Sequence, residues 1–246
     1  MVGTRYEQCL ILPSANRIKE SLLKGVNDMT KSVLVIAAHP DDELLGVAGT
    51  LKKLMNEGST VISVIVAKGR KEEEANMKQT IHQANKEIGI KEVKFLEYEN
   101  LKLEQLPLHT LTKEIELLIN HYQPQTIFTH HYGDVNRDHQ QVFEAVLTAV
   151  RPLPDQPPIE LITFETVSSS EWNIQTNDKT FKPNYFVNIT DTIDDKIKAL
   201  ESYEVEMRNF PHPRSYEGVK YLARVRGMTV GVSYAEAFEV IRRVWL

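Results

Sequence analysis

A mainly parallel α/β sheet with helices on both faces is the fold this sequence predicts, on three observations. Short β-branched and apolar runs recur along the chain, and amphipathic stretches of helical length separate them. The first runs show no polar alternation, the signature of strands buried on both faces. Strand and helix alternate regularly from Lys31 to Val150, which predicts right-handed βαβ units rather than a sandwich or a bundle.

The elements follow in order. Residues 1–28 read as an extension: mixed in charge, weakly helical over 15–26, and ending at the turn-prone Asn27-Asp28. The main domain spans 29–246. Residues 32–38 form the first strand, and 44–56 a helix with Leu44, Leu45, Val47, Ala48, Leu51, Leu54 and Met55 crowding one side. Gly58 stops that helix. Residues 60–67 form the second strand, followed by a polar turn (Lys68-Gly69-Arg70) and a long charged helix that Gly89 stops near Ile88. A short third strand covers 93–96, an amphipathic helix 108–122, and a fourth strand 126–129. A helix then starts near Asp138. After Val150 the rhythm breaks at a proline-rich turn region. Strands are predicted over 160–165 and 185–189, with a polar, mobile loop over 168–182 between them. Helices are predicted over 192–206, 216–225 and 235–244.

Composition narrows the function. With 246 residues, 41 % of them hydrophobic and 26 % charged, the chain has the make-up of an ordinary globular enzyme able to build a large core without staples. A net charge of −5 argues against binding a nucleic-acid backbone. The one cysteine, Cys9, excludes an intrachain disulfide and a thiolate zinc cluster. The longest apolar run, residues 33–38, is far too short to span a bilayer. Arg5, Glu7 and Arg17 around a short apolar patch do not make a secretory signal, and the Asn188-Ile189-Thr190 acceptor pattern is read as coincidence. The expected location is cytoplasmic.

Two segments carry chemistry. Ala38-His39-Pro40-Asp41-Asp42-Glu43 lies where the first strand meets the first helix, at the sheet edge where open α/β folds bind ligands. It holds one imidazole and three carboxylates. His and Asp are zinc ligands, and a neighbouring carboxylate that does not bind metal can take a proton from water. Residues 129–139, Thr-His-His-Tyr-Gly-Asp-Val-Asn-Arg-Asp-His, follow the fourth strand and lie at the same edge. A third ligand from here completes a three-ligand site with an open position.

At average residue usage a given five-letter word such as His-Pro-Asp-Asp-Glu arises by chance in roughly 10⁻⁴ of chains this long. The word, with the later Asp138-His139 pair, resembles the LmbE-like, or PIG-L-like, N-acetylglucosaminyl deacetylase family from about Lys31 to the C-terminus. Residues 210–215 (Phe-Pro-His-Pro-Arg-Ser) and 235–238 (Ala-Glu-Ala-Phe) resemble stretches of bacterial members. The resemblance implies a Rossmann-like three-layer α/β/α sandwich and one zinc ion per chain. It makes His39, Asp42 and His139 the ligands and Asp41 the general base. It implies an amino-sugar substrate losing its N-acetyl group to metal-activated water, and self-association as a trimer or hexamer. Family members often carry a histidine three residues before the last ligand, where this chain has Asn136. The oxyanion donor is therefore Asn136 or His212, the latter in cis or from a neighbouring subunit. Asp134 and Asp138 are candidates to orient an imidazole. Arg70, His131 and Arg214 are candidates for substrate contact.

Plainer readings exist for each residue. Asp41 and Asp42 stabilise a helix start through its dipole, and Asn136 or Asp138 can cap the next helix. Adjacent histidines in a strand point to opposite faces, so only one of His130 and His131 can face the site. His82, His109 and His121 lie in predicted helices, and residues 71–74 read as a solvated face. A dinucleotide-binding reading fails because Gly46 and Gly49 lie inside the helix and carboxylates fill the turn, where they repel a pyrophosphate. A zinc amidase acting on a non-sugar or thiol-conjugate amide uses the same machinery and is the alternative. A silent metal- or sugar-binding relative would not need Asp41 beside Asp42.

Overall fold

The computed structural model describes residues 31–69, 74–154 and 156–245. The predicted N-terminal extension with Cys9, and Arg70, lie outside the described residues. The strands are β1 (Ser32–Ala37), β2 (Thr60–Ala67), β3 (Glu92–Tyr98), β4 (Thr126–His130), β5 (Glu160–Phe164), β6 (Tyr185–Asn188) and β7 (Ala235–Arg242). The helices are α1 (Asp42–Asn56), α2 (Glu74–Ile88), α3 (Leu108–Tyr122), α4 (Arg137–Ala149), α5 (Ile193–Glu201) and α6 (Tyr216–Val230).

The strands form one sheet in the order β3-β2-β1-β4-β5-β7-β6. β1 to β5 pair in parallel, and β7 runs antiparallel to both its neighbours. The apolar run in β1 shows why the sheet has two covers. Val33, Val35 and Ala37 join a core with α1, α2, α5 and α6, while Leu34, Ile36 and Ala38 join another with α3 and α4. Each such buried aliphatic side chain contributes roughly 1.5–3 kcal/mol. The predicted three-layer α/β/α sandwich is therefore what forms. The chain reverses its strand order at β1 and β4, which places the loops after these two strands on either side of a crevice. No helix among the described residues is long and apolar enough to cross a membrane.

The largest departure from the sequence reading is the last element: the helix predicted over 235–244 is strand β7. Ala and Glu favour a helix, but β5 and β6 both offer unpaired edges. Phe238 pairs with Phe164 on one side and Tyr185 on the other. Two ladders and the burial of Ala235, Ala237 and Phe238 override a weak local preference. Helix α5 ends at Glu201 rather than Glu206, and α6 runs on to Val230, where Gly231 closes it in a left-handed turn. Loop 168–182 is tied down: Ser169, Ser170 and Phe181 are buried, and its backbone turns on itself between Thr176 and Thr180.

Candidate metal centre and its cleft

Three side chains converge at the crevice. His39 and Asp42 come from the β1–α1 turn and His139 from the first turn of α4. His39 Nδ1 and His139 Nε2 each stand 3.2 Å from Asp42 Oδ2. Two ligands of one tetrahedral zinc stand roughly 3.3 Å apart at bond lengths near 2.0 Å, so the spacing fits a shared ion. All three donor atoms lie within 4.8 Å of one another.

The outer nitrogens show how each ring is held. His39 Nε2 lies 3.0 Å from Asp138 Oδ2, and His139 Nδ1 lies 2.8 Å from Asp134 Oδ2. An imidazole that donates its outer N–H to a carboxylate keeps the inner lone pair free for a metal. The carboxylates are themselves fixed. Leu101 N and Leu103 N donate to Asp138 at 2.7 and 3.1 Å, and Ser170 Oγ donates to Asp134 Oδ1 at 2.5 Å.

Electrostatics point the same way. Burial alone would push the His139 imidazole down, but Asp42 and Asp134 on either side outweigh it and raise it to about 10. Burial would raise the Asp42 carboxyl, yet His139 and His39 hold it well below the usual range. Such a pocket demands positive charge between its carboxylates, which a divalent cation can supply in place of protons. Asp42 Oδ1 and His139 Nε2 are buried and make no hydrogen bond among the described residues. Buried polar atoms of this kind are normally satisfied, so the residues fit a metal.

Asp41 lines the cleft beside His39 and has a left-handed backbone, φ 94°. A non-glycine residue there costs of order 1–3 kcal/mol and persists only when its surroundings enforce it. Its carbonyl accepts from Leu44 N and Leu45 N, which start α1. Its carboxylate accepts from Arg214 Nη1 at 2.7 Å. Burial pushes the Asp41 carboxyl well up, against the pull of Arg214. Arg214 is steadied by Ser168 Oγ, which accepts from its Nε at 2.8 Å.

The other predicted residues fall in different places. Asn136 lines the cleft and caps α4, its Oδ1 accepting from Asp138 N at 2.9 Å. Both histidines of the pair are buried, and His130 is the one that stands at the cluster. Its Nε2 accepts from Ala38 N at 2.8 Å, its ring stacks on His139 at 3.8 Å, and burial with the His139 charge lowers it to about 4. His131 is not brought to the cluster: Nε2 lies 2.9 Å from the Lys179 carbonyl and Nδ1 3.0 Å from Glu239 Oε2. His212 is not among the residues lining the cleft. Its Nδ1 accepts from Arg214 N at 3.1 Å and its ring meets Trp172 edge-on. Glu43, the last carboxylate of the word, turns away to accept from Asn85 Nδ2 at 2.9 Å and Tyr203 OH at 3.1 Å.

Sequence reasoning missed the serines and Glu206. Ser168 and Ser170 hold Arg214 and Asp134, and Glu206 lines the cleft with its Oε2 3.9 Å from Arg214 Nη1. The run Ser168-Ser169-Ser170 was the available signal, since three small hydroxyls in a row suit a loop that packs against charges.

Known proteins resemble this chain in sequence and in fold. Residues 34–150 match the family model described as PIG-L, GlcNAc-PI de-N-acetylase, the family that the sequence resembles. A Bacillus cereus protein, "Probable N-acetyl-alpha-D-glucosaminyl L-malate deacetylase 2", is 27 % identical over 192 residues, 71 % of this chain and 83 % of that protein. The N,N'-diacetylchitobiose deacetylase of Pyrococcus horikoshii shares the fold at TM-score 0.71 and 21 % identity, covering 95 % of each chain. So does GalB, the 4-carboxy-2-hydroxymuconate hydratase of Pseudomonas putida, at TM-score 0.70 and 17 % identity, covering 88 % of this chain and 98 % of that one.

Proposed function

We propose that this protein is a zinc-dependent deacetylase that removes the N-acetyl group from an N-acetylglucosamine-type sugar or its conjugate. The observation that carries the reading is the placement of Asp41, a cleft-lining carboxylate next to a three-ligand cluster. A hydratase shares the fold, so the fold alone does not select amide hydrolysis. The family match and the Bacillus cereus relative favour the deacetylase.

His39, Asp42 and His139 would hold the ion. When bound, zinc supplies Lewis acidity, polarising the acyl carbonyl and making water acidic enough to lose a proton near neutral pH. Asp41 takes that proton, and burial suits it as a base because it lifts the carboxyl towards the working pH. Arg214 holds Asp41 in place and opposes the rise that burial imposes on its carboxyl. Asp41 then returns the proton to the leaving amine. With Asn136 Oδ1 engaged as a helix cap, its Nδ2 is the half of the amide that can donate to the developing oxyanion.

The test compares wild type with Asp41→Asn, chosen over Ala because Asn tolerates a left-handed backbone. Metal content and acetate release from N-acetylglucosamine and several conjugates are measured together. One zinc per chain in both proteins, with release lost only in the variant, is the expected result. A wild type that takes up no zinc and releases no acetate from any sugar would overturn the reading.

A further inference from the structure

Away from the cleft, a buried ion pair joins α5 to β7. Lys196 and Glu236 are 3 % and 5 % exposed, and Lys196 Nζ lies 2.7 Å from Glu236 Oε1. Neither touches the substrate cleft. A buried pair seldom repays its desolvation through mutual attraction alone, so the other partners of these groups indicate what the pair does.

Those partners belong to the backbone of α1. Glu236 Oε1 accepts from Gly49 N at 3.0 Å and Oε2 from Thr50 N at 2.7 Å. Lys196 Nζ donates to the Leu45 carbonyl at 2.7 Å, the acceptor that Gly49 N–H meets in a regular helix. Thr192 Oγ1 donates to the Gly49 carbonyl at 2.9 Å. A carboxylate and an ammonium thus bond to backbone groups in the middle of one helix, and side chains that engage the i→i−4 ladder set a helix's local direction. One turn upstream, Leu45 N donates to the carbonyl of the strained Asp41. Neighbouring residues leave little latitude: a Cβ on Gly49 would lie 2.9 Å from Ile189.

We infer that Lys196 and Glu236 are positioning residues, which clamp the middle of α1 so that its first turn presents Asp41 and Asp42 at the metal centre. The inference rests on the metal reading above. It also gives a place to the Ala235-Glu236-Ala237-Phe238 stretch: the flanking alanines and Phe238 build the strand, and Glu236 reaches the helix.

The test loads the full chain with cobalt(II), whose visible absorption follows ligand geometry. Glu236→Asp keeps the buried charges balanced but withdraws the carboxylate from Gly49 and Thr50 by one methylene. The double variant Lys196→Met, Glu236→Gln removes both charges. We expect both to give a shifted cobalt spectrum and about tenfold weaker cobalt binding, as for loss of an outer partner of a metal ligand. In the zinc form, kcat falls by a similar factor while KM stays within twofold. Should the double variant fail to fold, Glu236→Asp decides alone. Folded variants with the wild-type cobalt spectrum, affinity and kcat overturn the inference while leaving the metal reading intact. A wild type that binds no cobalt and no zinc overturns both.

Discussion

Arg214 reaches Asp41 across 173 positions of sequence and holds its Oδ2 at 2.7 Å. This joins the loop before α6 to the turn after β1, so the candidate base is positioned from one side by helix α1 and from the other by a cation. Charge and strain meet at one residue. Burial favours the neutral carboxylic acid at Asp41, and Arg214 opposes that shift.

Removing the cation has a signed consequence for pH. Arg214 lowers the Asp41 pKa, so Arg214→Met lets burial act unopposed and Asp41 ionises only at higher pH. A base must be ionised to act, so the acidic limb of kcat/KM moves to higher pH, and activity at pH 7 falls by about tenfold to a hundredfold. Zinc content stays at the wild-type level. A pH–rate profile of the variant beside Arg214→Lys, which restores a cation, checks this. An unmoved limb would show that Arg214 serves the substrate alone.

Asp134 acts through His139. Asp134→Asn keeps the shape but replaces an acceptor with an amide that no longer fixes which nitrogen of His139 carries the proton. Losing such an outer partner costs about 10–100-fold in metal affinity. Competition against a chelator of known affinity measures it. Because Ser170 Oγ can still donate to the Asn oxygen, the fold is expected to hold and thermal unfolding of the metal-free protein to change little.

Most of this architecture was legible in the sequence because it is local. Val33 to Ala38 are apolar without interruption since both faces of β1 are covered, and His39 to Asp42 lie within four residues of one another. Asn136 and Asp138 read equally well as caps or site residues; the structure gives the cap to Asn136, which also lines the cleft, and puts Asp138 in the first turn of α4 with its carboxylate on His39. What failed to show was long-range. Nothing near Ala235 says that two sheet edges await it, and nothing near Arg214 says that it meets Asp41. Likewise, Ser170 finds Asp134 only because the loop folds back over α4. His131 is a candidate because it adjoins the site in sequence, yet adjacent side chains point to opposite faces, and its ring meets Glu239 instead.

Metal removal tests the centre as a whole. A ligand that binds only the folded state stabilises it by about 4 kcal/mol at a thousandfold excess over Kd. For a domain of this size each kcal/mol moves Tm by roughly 2–4 °C, so stripping zinc with a chelator should lower Tm by roughly 10 °C. Readdition of zinc restores it. In His139→Gln, which lacks one ligand, the same treatment should shift Tm far less. Equal shifts in both proteins would place the stabilising ion elsewhere.

A glycine in α1 separates local preference from packing. Inside a helix, Gly to Ala normally stabilises by about 1 kcal/mol. At Gly46 a Cβ would lie 2.2 Å from Phe164 Cδ2, on strand β5. Phe164 is fully buried and also packs on His130, so its ring has no free space to enter. Overpacking of this kind costs about 1–3 kcal/mol and outweighs the propensity gain, so Gly46→Ala is expected to lower the urea midpoint. Because Gly46 lies one turn from Asp42, displacement of the helix should also weaken zinc binding. Pairing the variant with Phe164→Leu, which opens room for the new methyl, should recover part of both losses. A Gly46→Ala protein as stable as wild type would mean that α1 is free to move away from Phe164, contrary to its close seating there.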